Sequence, residues 1–237
     1  MKKMQVMGAA FLALAALAVV LYLGSRHVQQ TFFPSEDEGY TVILDAGHGG
    51  VDGGAVSKDG LAEREITLEI AQMARDYLEL SGIQVVMTRE TNESIHDSSA
   101  VTLREQKNSD LKNRVKIASQ HPDAMLVSIH LNSFPDTTQC GAQVFYKGND
   151  TASQQVGQVA QETLKEVLNP ENKRVAKAIP EEIYLMRNIE NTAVLMECGF
   201  LSNPEEAALL ATEDYQQDVA FAIYLTVMRY ITQQNSL

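Results

Sequence analysis

The stretch Thr41 to Ala55, TVILDAGHGGVDGGA, sets a histidine on a glycine-rich turn directly behind a short β-branched apolar run. A buried strand that stops abruptly at Asp45 and then turns delivers His48 to its end. Glycines at 47, 49, 50, 53 and 54 permit positive φ and a close backbone approach to whatever the imidazole holds. Neutral imidazole is the commonest metal ligand. Taken alone, His48 reads equally as a polar residue that stabilises a tight turn. A phosphate loop does not fit, because no Gly-Lys-Ser/Thr follows and the spacing is not GxGxxG. A second histidine, His130, ends another apolar run, AMLVSIH at 124–130. Glu63 opens an amphipathic helix, where an acidic residue is favoured by the helix dipole but also stands as a candidate ligand. A strand, a loop and the first turn of the next helix return to one end of a βαβ unit, where open α/β sheets form their sites. Two histidines and a carboxylate are a three-ligand set, and a catalytic zinc keeps its fourth position for water. Glu197 stands directly behind the apolar run Ala193 to Met196. A carboxylate there is costly unless paired or functional. It reads either as an ion pair with an arginine such as Arg187, or as a general base beside the metal.

These residues need elements to position them. Ile66, Ile70, Met73, Tyr77 and Leu80 recur at helical spacing and predict a helix over 61–80. Strands are expected at 83–88, 124–130, 141–147, 183–186 and 193–196, in addition to the one at 41–44. Helices are expected at 110–120, 151–168, 204 to about 211 and 213 to about 233, with Asn203 capping Pro204. Residues 89–109 are polar and irregular, long enough for a functional loop, and 169–180 is a charged loop. His96 and His121 lie in polar surroundings and read as surface residues. The fold class is α/β: a single three-layer domain with a twisted, mostly parallel sheet of about six strands flanked by helices, preceded by one N-terminal transmembrane helix.

The N-terminal reading rests on Lys2 and Lys3, an uncharged apolar run from Met4 to Ser25, and Arg26. Such a run spans a bilayer and, with positive charge before it, leaves the bulk of the chain outside the cytoplasm. A cleaved signal peptide is the rival, with Ala16-Leu17-Ala18 as cleavage site, but Val19 to Leu23 continues the run. No cysteine follows, which excludes a lipoprotein. The division is a membrane anchor at 1–25, a linker at 26–39 and a catalytic domain at 40–237, without appended wall-binding repeats. Net charge is −12 without clustered lysine or arginine, which argues against nucleic acid as a partner. Two cysteines, Cys140 and Cys198, are too few for a disulfide scaffold or a cysteine zinc site, although they could pair with each other.

Taken together, DAGHGGVDGGA, Glu63, SIHLN and ECGFLSNPEE make the chain resemble the zinc-dependent N-acetylmuramoyl-L-alanine amidases of bacterial cell walls, over about residues 40–232. The resemblance implies one Zn2+ per chain on His48, Glu63 and His130, with Glu197 as the catalytic acid/base. It matches Arg187 to an arginine common before the last strand; Asn132 and Ser128, flanking the second histidine, are further substrate-binding or supporting candidates. GAQVFY and IYLM point to the membrane-anchored spore-cortex branch, whose members remove stem peptides as the first step toward muramic δ-lactam. The implied partners are peptidoglycan, the membrane through the N-terminal helix, and a protein activator, sought at 89–109. Localisation would be extracytoplasmic. Asn191-Thr192 and Cys198 depart from the branch pattern without touching an expected ligand. Another zinc peptidase acting on stem peptides, or an inactive wall-binding homologue, are the alternatives.

Overall fold

The computed structural model describes residues 39–235, and the anchor expected at 1–25 and all but the last residue of the linker expected at 26–39 lie outside the described residues. Among the described residues no helix is long and apolar enough to cross a membrane. The strands are β1 (Thr41–Ala46), β2 (Gln84–Met87), β3 (Met125–Asn132), β4 (Gln143–Tyr146), β5 (Lys177–Ala178) and β6 (Ala193–Phe200). The helices are α1 (Glu63–Leu80), α2 (Leu103–Gln120), α3 (Thr151–Leu168), α4 (Tyr184–Arg187), α5 (Pro204–Leu210) and α6 (Glu213–Gln234).

One sheet runs in the order β2-β1-β3-β6-β4-β5, parallel at every pairing except β4 with β6. The central strands are buried on both faces, as continuous apolar runs require. Val42 and Leu44 of β1, Val127 and Ile129 of β3, and Val194 and Met196 of β6 face one core, filled from α1, α3 and α6 by residues such as Ile70, Leu164 and Ile223. Ile43, Leu126 and Leu195 alternate to the other face, against Ala118 of α2 and Leu185 and Met186 of α4. This is the expected three-layer α/β arrangement. It brings the C-terminal ends of β1, β3 and β6 side by side, with Asp45 opposite Ser128 and His130 opposite Glu197.

Three expectations need correction. The helix predicted at 110 begins at Leu103, because Thr102 and Glu105 form a capping box. Ile183 to Met186 is not a strand. It is a helical turn that buries Leu185 and Met186, and Arg187 N–H closes it on Ile183 O at 3.1 Å. The sixth strand is instead β5, inside the segment read as a charged loop. Of the two readings left open for the cysteines, the structure has them unpaired: Cys140 is exposed, Cys198 is buried, and both are free.

Candidate metal centre

His48 sits two residues past β1 at φ 62°, a conformation uncommon for any residue with a side chain. The glycines around it are there for space. A Cβ at Gly47 would lie 2.5 Å from the His130 ring, and one at Gly54 (φ +68°) would strike the Glu63 carboxylate and approach the His48 ring to 2.6 Å. Glu63 is the first residue of α1 and only 2% exposed. Its Oε1 lies 3.0 Å from His130 Nδ1 and accepts the Leu131 N–H at 2.9 Å. Its Oε2 lies 3.2 Å from His48 Nε2 and accepts the Ala55 N–H at 2.7 Å.

One ligand atom from each of His48, Glu63 and His130 falls within 4.8 Å of the others, so the three residues chosen from sequence are brought together. Two imidazole nitrogens and one buried carboxylate, with no thiolate, suit a catalytic zinc rather than a closed structural site. Burial by itself would raise the Glu63 carboxyl, but the bonds from His130 and His48 outweigh it and hold the group below the ordinary carboxylate value. Burial would lower His48, yet its bonds to Asp52 and Glu63 push the imidazole up to about 9. A site that attracts a proton this strongly is shaped to hold a cation.

Glu197 lies within β6 rather than behind it, since the strand runs on to Phe200. Its Oε2 is buried without a hydrogen-bond partner among the described residues. Burial is the main cause of its carboxyl being pushed up to about 7. The ion-pair reading fails: Arg187 is exposed, stands 6.0 Å over the Tyr184 ring, and shares no ion pair with Glu197. His48, His130 and Glu197 open into one cavity of about 450 Å³, walled on the far side by α2 and by Glu182 to Met186. Ser128 lines it and donates to Asp45 Oδ2 at 2.6 Å. Asn132 and Arg187 are not in the lining; Asn132 accepts the Leu201 N–H through its carbonyl at 2.8 Å, beside the β3–β6 register shift.

Three supporting residues escaped the sequence reading. Asp52 lies 3.1 Å from His48 Nδ1. Arg89 is buried and donates to the carbonyls of Ala46 and Gly47 at 2.9 Å. Arg114 is buried between Asp45 and Asp110. The spacing His48-x-x-x-Asp52 was visible; nothing local announces a buried arginine.

Comparison with known proteins supplies the family. The N-acetylmuramoyl-L-alanine amidase family matches residues 42–229, and the chain belongs to that family. It is a peptidoglycan amidase of this class. The chain is 42% identical over 197 residues to the germination-specific N-acetylmuramoyl-L-alanine amidase of Bacillus subtilis, covering 83% of this chain and 81% of that one. It is 29% identical over 231 residues to the amidase AmiA of Escherichia coli, covering 80% and 75%. The CwlD amidase of Clostridioides difficile, solved in complex with the GerS lipoprotein, superposes with a TM-score of 0.80 at 41% identity, over 82% of this chain and 100% of the other.

Proposed function

We propose that this amidase is zinc-dependent and strips whole stem peptides from muramic acid in spore-cortex peptidoglycan, the step that precedes muramic δ-lactam. The observation that carries the chemistry is the meeting of His48, Glu63 and His130 around one point, at the edge of a cavity that His48 and His130 share with Glu197, whose Oε2 has no hydrogen-bond partner among the described residues. The cortex assignment rests on likeness to the germination-specific relative. His48, Glu63 and His130 would hold the ion. When bound, zinc supplies Lewis acidity, lowering the pKa of water beside it toward ~7 and drawing charge from the lactyl carbonyl.

The chain's own residues then handle protons and position. Glu197 takes a proton from a water in the cavity as that water's oxygen bonds to the lactyl carbonyl carbon. It gives that proton to the L-alanine nitrogen as the amide bond breaks, so the peptide leaves as a neutral amine. A carboxyl raised by burial can do both near neutral pH. Leu185, Met186 and Leu195 make part of the wall apolar, which limits competing solvent.

The catalytic domain would work outside the cytoplasm, tethered by the apolar run at 4–25. A protein partner is proposed by analogy with the relative solved with a lipoprotein. The test is to mix the zinc-loaded full chain with cortex peptidoglycan and follow products by mass spectrometry. Intact stem peptides with a free L-alanine amine are expected. Release of terminal D-alanine would instead make it a carboxypeptidase. No release from a zinc-replete sample, with or without a lipoprotein partner, would leave a wall-binding homologue.

A further inference from the structure

We propose that Asp52 and Lys107 form a positioning pair that fixes which nitrogen of His48 faces the metal, making α2 a working part of the metal centre. This rests on the zinc reading of the site. His48 Nδ1 lies 3.1 Å from Asp52 Oδ2. A proton on Nδ1 donated to that carboxylate leaves the lone pair on Nε2, the nitrogen beside Glu63. Histidine ligands generally need such an orienting acceptor, because an imidazole free to flip or tautomerise binds poorly.

Asp52 is itself held. It closes a tight loop with Gly49, N–H to carbonyl at 3.0 and 3.1 Å in the two directions. Its other oxygen, Oδ1, accepts the Gly54 N–H at 3.4 Å and pairs with Lys107 Nζ at 2.9 Å. The carboxylate is 28% exposed, so without Lys107 it would be free to turn toward water and away from the ring. Lys107 pairs with Asp52 and with none of the three candidate ligands, so its hold on His48 runs through Asp52. A second contact from the same helix points the same way. Seven residues further along α2, two turns on and on the same face, Arg114 donates to the His48 carbonyl at 2.5 Å. α2 grips His48 by its backbone and, through Asp52, by its ring.

Zinc affinity decides the matter, measured on the full chain by competition with a chromophoric chelator. Asp52→Ala should weaken binding about 10- to 100-fold. Asp52→Asn should lose less, since an amide oxygen still accepts from Nδ1. Lys107→Met should weaken it about two- to fivefold, the range of a half-exposed pair, and Lys107→Arg should restore it to about the wild-type value. The melting temperature of the metal-free chain should barely move in the lysine variants, whereas a merely structural role would lower it. Asp52→Ala binding zinc as wild type does, while His48→Ala has lost it, overturns the inference and leaves the metal site standing. His48→Ala binding as wild type does overturns the metal site itself. Should Asp52→Ala not fold, undiminished affinity in Asp52→Asn and Lys107→Met together overturns the pair.

Discussion

Arg114→Met should destabilise the chain by about 3–5 kcal/mol, the cost of leaving buried charge without its partner. The magnitude follows from the bonds removed. Arg114 is 2% exposed and donates to Asp110 Oδ2 at 2.6 Å, to Asp45 Oδ1 at 2.5 Å, and to the carbonyls of Ala46 at 2.7 Å and His48 at 2.5 Å. Methionine keeps most of the apolar stem, so the loss is electrostatic rather than a cavity. In a domain of this size the melting temperature should fall by roughly 6–20 °C. The sign of the pH dependence is a sharper test. Burial would raise the Asp45 carboxyl, but the Arg114 charge and the Ser128 hydroxyl outweigh it and hold the group below its ordinary value. A depressed folded value means that its stabilisation is complete above the unfolded value of about 4 and is lost as pH falls through the folded one. Without Arg114 the largest lowering cause is gone and the folded value rises, so the variant gains less stability than wild type as pH rises through this range. The gap between variant and wild type should therefore be widest near neutrality and narrow on acidification. Urea unfolding followed by circular dichroism at several pH values measures both. A variant within 1 kcal/mol of wild type at neutral pH, or a gap that widens on acidification, would refute the reasoning (the scale being that of the buried-pair cost, about 3–5 kcal/mol).

Three further outcomes are expected. Glu197→Gln should keep its zinc but release stem peptides about 10²–10⁴ times more slowly, as read by metal content and product analysis on one sample; near-normal turnover would remove Glu197 from proton transfer. Because His48 in the metal-free chain is raised to about 9, a proton competes with zinc below that pH, and affinity should strengthen about tenfold per pH unit from mildly acidic to mildly basic solution. Titrations that give the same affinity throughout that range would contradict it. Gly54→Ala should cost zinc binding outright, since the new methyl meets both Glu63 and His48, and full metal occupancy in a folded variant would show that the loop can yield.

What the sequence made legible was the part in which neighbouring residues carry the signal. The β1 run, its glycine turn and the helix opened by Glu63 lie within one βαβ unit, so local pattern was enough to set His48 beside Glu63. The long helices α3 and α6 were expected at nearly their observed bounds, over 151–168 and 213 to about 233. Thr102-x-x-Glu105 was an equally plain signal, passed over because the polar segment around it gave α2 almost no apolar period. The α4 turn was too short for period to separate helix from strand. Arg89 and Arg114 could not have been found, because their burial is created by elements distant in sequence, and in the chain they look like any solvated charge.

Those two arginines, with Arg64, explain how a loop so rich in glycine can hold a metal ligand. Glycine gives the turn its reach but leaves it with large conformational freedom to lose. His48 adds strain, since its φ of 62° is a state that surrounding structure must enforce. The enforcement falls on the loop's carbonyls. Arg89 binds those of Ala46 and Gly47, Arg114 those of Ala46 and His48, and Arg64 that of Gly50 at 2.6 Å. Each arginine comes from a different place: the end of β2, α2 and the first turn of α1. Guanidinium suits this task because it stays charged when buried and offers several donors in a fixed plane. The loop is thus rigid only when the elements around it are docked. A loosened α2 should weaken zinc binding before it unfolds the sheet, because the larger core is filled from α1, α3 and α6 without α2, whereas the grip on His48 lies in Arg114 and Lys107.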